Sequence, residues 1–174
     1  NKGTLFFFFF NLIIGNVCSI LAMATDSISS TRKTAKGVLL VQSLSQLIYF
    51  IGTVVLKGYS GAVQNAVSIL RNFVAIRDIH NKYVEWSLVG LGVVLGLAFN
   101  NLGFMGLLPV IANFQYTIAV FRFQDNERAL KISFAIAVGM FAVFNIAIFN
   151  VVGVVSNLVV FVTTLAVLMK RVKK

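Results

Sequence analysis

Residues 38–77 read VLLVQSLSQLIYFIGTVVLKGYSGAVQNAVSILRNFVAIR. Two apolar runs, Val38 to Leu56 and Tyr59 to Ile76, are parted only by Lys57 and Gly58, and Arg77 closes the second. Each is close to the roughly 20 residues that cross a hydrocarbon core of about 30 Å at 1.5 Å rise per residue. Two such runs joined by so short a turn predict a helical hairpin standing in a bilayer.

Five further runs of the same kind extend outward from this hairpin: Leu5 to Thr25, Trp86 to Asn101, Leu102 to Phe123, Ala129 to Phe149 and Asn150 to Met169. Trp86 to Phe123 has length for two spans, with Asn100, Asn101 and Gly103 supplying the turn between them. Composition points the same way. The chain is 59% hydrophobic and 11% charged, against roughly 25% charged in a soluble domain, and a water-soluble fold could not cover so much apolar surface. The expected class is therefore an all-α polytopic membrane protein with seven transmembrane helices.

The net charge of +10 would suggest nucleic acid in a soluble protein. Here no aromatic-flanked basic surface accompanies it, and loop Lys and Arg report topology instead. Arg32, Lys33 and Lys36, then Arg77 and Lys82, then Arg122, Arg128 and Lys131, and finally Lys170, Arg171, Lys173 and Lys174 all fall on one side. Only Lys2 and Lys57 fall on the other, and Arg71 lies within a span. The five acids, Asp26, Asp78, Glu85, Asp125 and Glu127, collect on the basic side as well. Basic loops are retained in the cytoplasm, so the N-terminus is expected outside and the C-terminus inside. Lys2, the apolar Leu5–Ile14 run and Ala22-Met23-Ala24 also have the layout of a cleavable secretory signal. Against that, the first run is long enough to span, and the repeat described next needs it. Phe6 to Phe10 read as lipid-facing bulk.

An offset of 92 lays Gly61-Ala62-Val63-Gln64-Asn65 on Gly153-Val154-Val155-Ser156-Asn157. With small slippage it also lays Lys33-x-x-Lys36 on Arg128-x-x-Lys131. Helices one to three and five to seven would then both start outside, with one helix returning the chain between them. The expected organisation is a first triple-helix bundle over residues 1–78, a linker helix over 79–101 and a second bundle over 102–174, the two being parallel about an axis along the membrane normal.

The basic Arg32-Lys33 loop and the segment Gln46 to Arg77, especially Gly61-Ala62 through Asn65 to Arg71-Asn72, resemble the YgjV family of bacterial inner-membrane proteins. That resemblance implies a bacterial cytoplasmic (inner) membrane location rather than a substrate. The three-plus-one-plus-three layout is similar to that of SWEET sugar transporters and PnuC vitamin transporters. SWEET-like repeats carry a proline in several gating helices and often a Pro-Gln pair. Pro109 is the only proline here, and Gly15 takes the roughly equivalent place in the first helix, so a sugar is not implied.

Polar groups in hydrocarbon are costly unless they face a neighbour or a cavity. Gln42, Ser45, Gln46, Tyr49 and Thr53 form one stripe on the second helix, and Gln64, Asn65, Ser68, Arg71 and Asn72 another on the third. Ser156, Asn157, Thr163 and Thr164 answer on the seventh, with Asn113, Gln115, Tyr116 and Thr117 on the fifth and Asn145 on the sixth. Such stripes either hold helices together through hydrogen bonds or line a cavity. The candidate solute-binding residues are Asn65, Asn157, Gln46, Tyr49, Gln64, Arg71, Asn113 and Ser156. Asn65 and Asn157 would be symmetry mates gripping one solute near the midplane. Arg71 has no acid within a span to pair with. It either snorkels or anchors on carbonyls, or it attracts an anion. Gly90, Gly92 and Gly96 suit close helix approach, and Pro109 suits a kink in the fifth helix.

No esterase elbow, zinc-protease motif, phosphate loop or intramembrane aspartate pair is present, and a lone loop His80 offers no base inside the bilayer. No enzyme activity, cofactor or metal is expected; the single Cys18 sits in an apolar run. The leading expectation is a small-solute transporter working by alternating access on a polar or anionic solute, a facilitator rather than a proton-coupled pump since no carboxylate lies in a span; sodium coupling through amide and carbonyl oxygens is compatible. The alternative is a non-transporting assembly or regulatory subunit whose polar stripes serve packing. The expected partners are the lipid bilayer and the solute, not nucleic acid; a homo-oligomer is compatible.

Overall fold

A computed structural model describes residues 2–79, 81–123 and 125–172. His80, and Lys173 and Lys174 of the basic tail, lie outside the described residues. The described residues form seven α-helices: α1 (Lys2–Thr31), α2 (Ala35–Val55), α3 (Tyr59–Ile76), α4 (Lys82–Ala98), α5 (Leu107–Arg122), α6 (Glu127–Ala147) and α7 (Val151–Val172). A 3₁₀ turn, Gly103–Gly106, leads into α5. Among the described residues five segments are long and apolar enough to cross a membrane: Phe9–Thr31, α2, Gly103–Arg122, α6 and Val151–Lys170. By those measures α3, with its stripe of amides and Arg71, is too polar, and α4, at 17 residues, is too short.

Helix starts follow from capping chemistry. The side chains of Thr34, Asn81 and Asn126 accept hydrogen bonds from the amides of Gly37 (3.1 Å), Tyr83 (2.8 Å) and Ala129 (3.0 Å), satisfying donors that a helix N-terminus leaves unpaired. The turn after α4 closes through Asn100, whose side chain donates to the Gly103 carbonyl and accepts from the Leu102 amide. Gly103 adopts φ +56° there, a conformation glycine tolerates without a Cβ clash.

The same offset of 92 residues recurs in the backbone. It carries the whole of α2 onto the whole of α6, and the first residue of α3 onto that of α7. It carries the capping Thr34 onto Asn126 and the left-handed Lys57 (φ 60°) onto Phe149 (φ 54°). The bond from Gly58 N to Thr53 O (2.8 Å) has its counterpart from Asn150 N to Asn145 O (3.0 Å).

Each helix packs on the next, except that α3 reaches both α4 and α5, and α7 returns to α1. Six helices thus close a ring in the order α1, α2, α3, α5, α6, α7, with α4 laid outside the α3–α5 seam. Close approaches use small residues. A Cβ on Gly61 would stand 2.6 Å from the Phe144 ring, one on Gly52 2.9 Å from Cys18 Cβ, and one on Gly96 2.6 Å from Val110. Gly90, by contrast, meets nothing within 4 Å, so of the three α4 glycines it alone has no packing role.

The burial pattern is the reverse of a soluble protein's. Phe6, Phe7, Phe9 and Phe10 are exposed, as are Leu40, Val94, Phe149 and Val162, while buried polar residues are about as numerous as buried apolar ones. An exterior of this kind is at home in lipid. The basic end is tied by ion pairs, Lys36 with Asp78 on exposed side chains, Arg122 with Glu85 at 3.6 Å, and the fully buried Lys131 with Glu127 at 2.6 Å.

Two expectations about helix positions are corrected. Pro109 falls in the first turn of α5, where its missing N–H and fixed φ are tolerated, and not in the helix interior, where it would break the hydrogen-bond ladder. The first helix runs on past Thr25 to Thr31 because its polar stretch turns inward on itself. Thr25, Ser29, Ser30 and Thr31 each donate to a carbonyl three or four residues back, and Ser30 bonds Thr164 of α7 at 2.7 Å. Asp26 is consequently a buried helix residue, 1% exposed, not a loop acid.

Candidate functional site

Inside the ring lies a cavity that leaves about 40 Å³ for the centres of water-sized molecules, room for roughly three at about 10–15 Å³ each. All six ring helices line it and α4 does not. Helix α1 presents Asp26; α2 presents Gln46, Tyr49 and Thr53; α3 presents Asn65, Ser68 and Arg71. From the other half come Asn113 and Tyr116 on α5, Asn145 and an apolar wall of Phe134, Ala137, Val138 and Phe141 on α6, and Asn157 on α7. Positions related by the offset of 92 recur among them: Gln46 with Val138, Tyr49 with Phe141, Thr53 with Asn145, Asn65 with Asn157. In the three α2–α6 pairs the α2 side is polar and the α6 side is apolar except at Asn145, so the cavity has a wet face and a drier one.

Arg71 is 1% exposed and does not snorkel. Its Nε and Nη2 donate to Asn72 Oδ1 (3.0 and 2.9 Å), its Nη1 donates to Asn113 Oδ1 (2.6 Å), and its guanidinium lies over the Tyr116 ring at 4.5 Å. Asn72 is fixed in turn by donating to the Leu39 carbonyl (3.3 Å), and the Tyr116 hydroxyl donates to Gln42 Oε1 (2.7 Å). A planar five-donor cation is thus held by neutral oxygens and an aromatic face. It forms no ion pair among the described residues.

Asp26 faces the same cavity. The Ser45 hydroxyl of α2 donates to its Oδ1, and it too has no cationic partner among the described residues. Its presence corrects the expectation that no acid lies within a span, and the argument against proton coupling loses its basis with it.

Elsewhere in the lining the Tyr49 hydroxyl donates to Asn157 Oδ1 (3.2 Å). Asn65 Nδ2 and Gln46 Oε1 are buried with no hydrogen-bond partner, each at a cost of about 1–3 kcal/mol if left dry. Asn65 and Asn157 stand six residues past the first residue of α3 and of α7, about 9 Å along the helix axis.

Six of the eight residues singled out in the sequence, Asn65, Asn157, Gln46, Tyr49, Arg71 and Asn113, line this one cavity. Gln64 does not. It stands behind Asn113, accepting from its Nδ2 (2.7 Å) and donating to the Gly92 carbonyl of α4 (2.7 Å), a joint between helices. Ser156 is buried outside the lining. The sequence reading missed Asp26, though Ser19, Ala22, Asp26 and Ser29 fall at spacings of three or four and mark one small, polar helix face. Among the described residues no group of three or more His, Cys, Asp or Glu could hold a metal ion.

No curated protein and no solved structure matches the chain. A family model does, described as a bacterial inner membrane protein and covering residues 3–174. The apolar exterior and the five membrane-length segments are what that description requires. The chain belongs to the Imp-YgjV family and is an integral, multi-pass protein of the bacterial inner membrane.

Proposed function

We propose that this protein is a small-solute transporter. On this reading α1–α3 and α5–α7 are pseudo-symmetric bundles joined by α4, all seven helices cross the membrane, and the basic loops face the cytoplasm with the N-terminus outside. The carrying observation is the polar cavity at the centre of the ring, shared by both halves, with buried donors and acceptors that no protein group satisfies. A bundle built only for packing would close its amides on one another, as Gln64 does with Gly92 and Asn113.

The repeat supports alternating access. Rocking one bundle against the other about equivalent seams, α3 on α5 and α7 on α1, would open the cavity to each side in turn. At the basic end the buried Leu39, Leu130 and Lys131 stand below it, Lys131 Nζ donating to the Arg32 carbonyl (3.0 Å). At the other end Phe144 packs over Gly58 and Gly61.

A thermal-stability screen of detergent-purified protein against sugars, nucleosides, vitamins, amino acids and organic anions tests the reading, run beside Asn65→Ala. Binding to the folded state raises stability as ln(1 + [L]/Kd). A concentration-dependent shift that the variant loses is expected. Absence of any shift across the classes favours a packing or subunit role.

A further inference from the structure

Resting on the transporter reading, we propose that the cavity selects a small zwitterion, taking the solute's ammonium at Asp26 and its carboxylate at Arg71.

An acid and a base, Asp26 and Arg71, line one cavity, yet they are not joined. Asp26 is tied to Ser45 at the α1–α2 contact. Arg71 is held by Asn72 and Asn113 at the α3–α5 contact, with Tyr116 beneath it. Both lie five residues before the last residue of their helices, hence at similar depth above the basic end. An unpaired buried ion is costly, and a carboxylate and a guanidinium in one cavity would relieve each other by direct pairing. Neutral partners instead hold each against its own wall. A solute bearing an ammonium and a carboxylate would pair with both groups at once, its ammonium holding Asp26 ionised.

The chemistry at each pole fits. The Arg71 bonds to Asn72 and Asn113 engage Nε and one hydrogen on each Nη, which leaves two of the five N–H donors for an incoming carboxylate. Among the described residues, Ser45 is the one side chain that bonds the Asp26 carboxylate, so acceptor capacity remains for an ammonium. A neutral sugar supplies neither countercharge. A simple anion pairs with Arg71 but confronts Asp26. The apolar α6 wall at Ala137 and Val138 suits a small aliphatic substituent, and the volume restricts the solute to a few heavy atoms.

The test uses three near-isosteric probes on the detergent-purified wild-type protein: alanine, propionate, which lacks the ammonium, and ethylamine, which lacks the carboxylate. The thermal midpoint is followed against concentration of each. Alanine is expected to bind at least about tenfold more tightly than either single-charge probe, each lost ion contact being worth a factor of ten or more. In Asp26→Asn the preference for alanine over propionate falls towards one, and in Arg71→Gln so does the preference over ethylamine. Should either variant fail to fold, the wild-type comparison decides alone. Propionate or ethylamine matching alanine on wild type overturns the zwitterion assignment. So does a sugar, nucleoside or vitamin that binds when none of the three probes does, and this result leaves the transporter reading standing. If no compound of any charge class binds, both fall.

Discussion

Replacing Asn113 by Asp separates what the buried amides do for folding from what Arg71 does for a solute. The side chain keeps its shape and its Oδ1, which accepts from Arg71 Nη1 at 2.6 Å and from Ser68 at 2.9 Å. It loses the Nδ2 that donates to Gln64 Oε1 at 2.7 Å. The new carboxylate attracts the guanidinium by about 4 kcal/mol at a charge separation of about 4 Å and an effective dielectric near 20. Against this stand the orphaned Gln64 oxygen, about 1–3 kcal/mol, and the desolvation of the carboxylate, which is of the same order as the gain or larger. The gain and the desolvation then roughly cancel, so the variant should lose about 1–3 kcal/mol of stability, read as a lowered thermal midpoint. Solute binding should respond very differently. An anionic group must now compete with a resident carboxylate for Arg71, and forfeiting about 4 kcal/mol weakens it by roughly a thousandfold. Titrating wild type and Asn113→Asp with the best ligand from the screen, by thermal shift, checks both halves. A folded variant that binds as tightly as wild type would refute Arg71 as the anion contact.

Other outcomes follow from packing. Gly61→Ala places a methyl against the Phe144 ring and should cost about 1–3 kcal/mol, a loss that Phe144→Leu in the same chain should largely reverse. Gly90→Ala, where a Cβ meets nothing within 4 Å, should not destabilise and should gain up to about 1 kcal/mol, read as an unchanged or slightly raised thermal midpoint. Lys131→Met removes the buried partner of Glu127 and the bond to the Arg32 carbonyl; a loss of about 3 kcal/mol in thermal unfolding is expected, whereas Lys36→Met, at an exposed pair, should cost under about 1 kcal/mol.

The helices were legible where punctuation is sharp. Lys57-Gly58 and Arg77 delimit α3 to the residue, and Asn100 to Gly103 mark the turn ahead of α5. The end of α1 was not legible. Thr25 to Thr31 is a polar run of the kind that marks a loop, and it stays helical because its hydroxyls turn back onto the preceding carbonyls and because Asp26 and Ser30 reach α2 and α7. Such contacts are between elements, and local composition does not encode them. The same holds for Gln64 and Ser156. Their spacing places them near the right face, but Gly92 and Asn113 claim Gln64 for packing. The repeat was faint in side chains and plain in backbone, since helix length, caps and left-handed turns tolerate substitutions that erase identity.

Thiol reactivity in membranes distinguishes an aqueous solute site inside the ring from a packed seam. In a Cys18→Ser background, Asn65→Cys and Asn157→Cys would line the cavity, while Ser156→Cys would lie buried beside it. A small, membrane-impermeant, water-soluble thiol reagent is expected to modify positions 65 and 157 and spare 156, and a bound solute to slow the first two. Equal protection at all three positions would contradict an aqueous solute site.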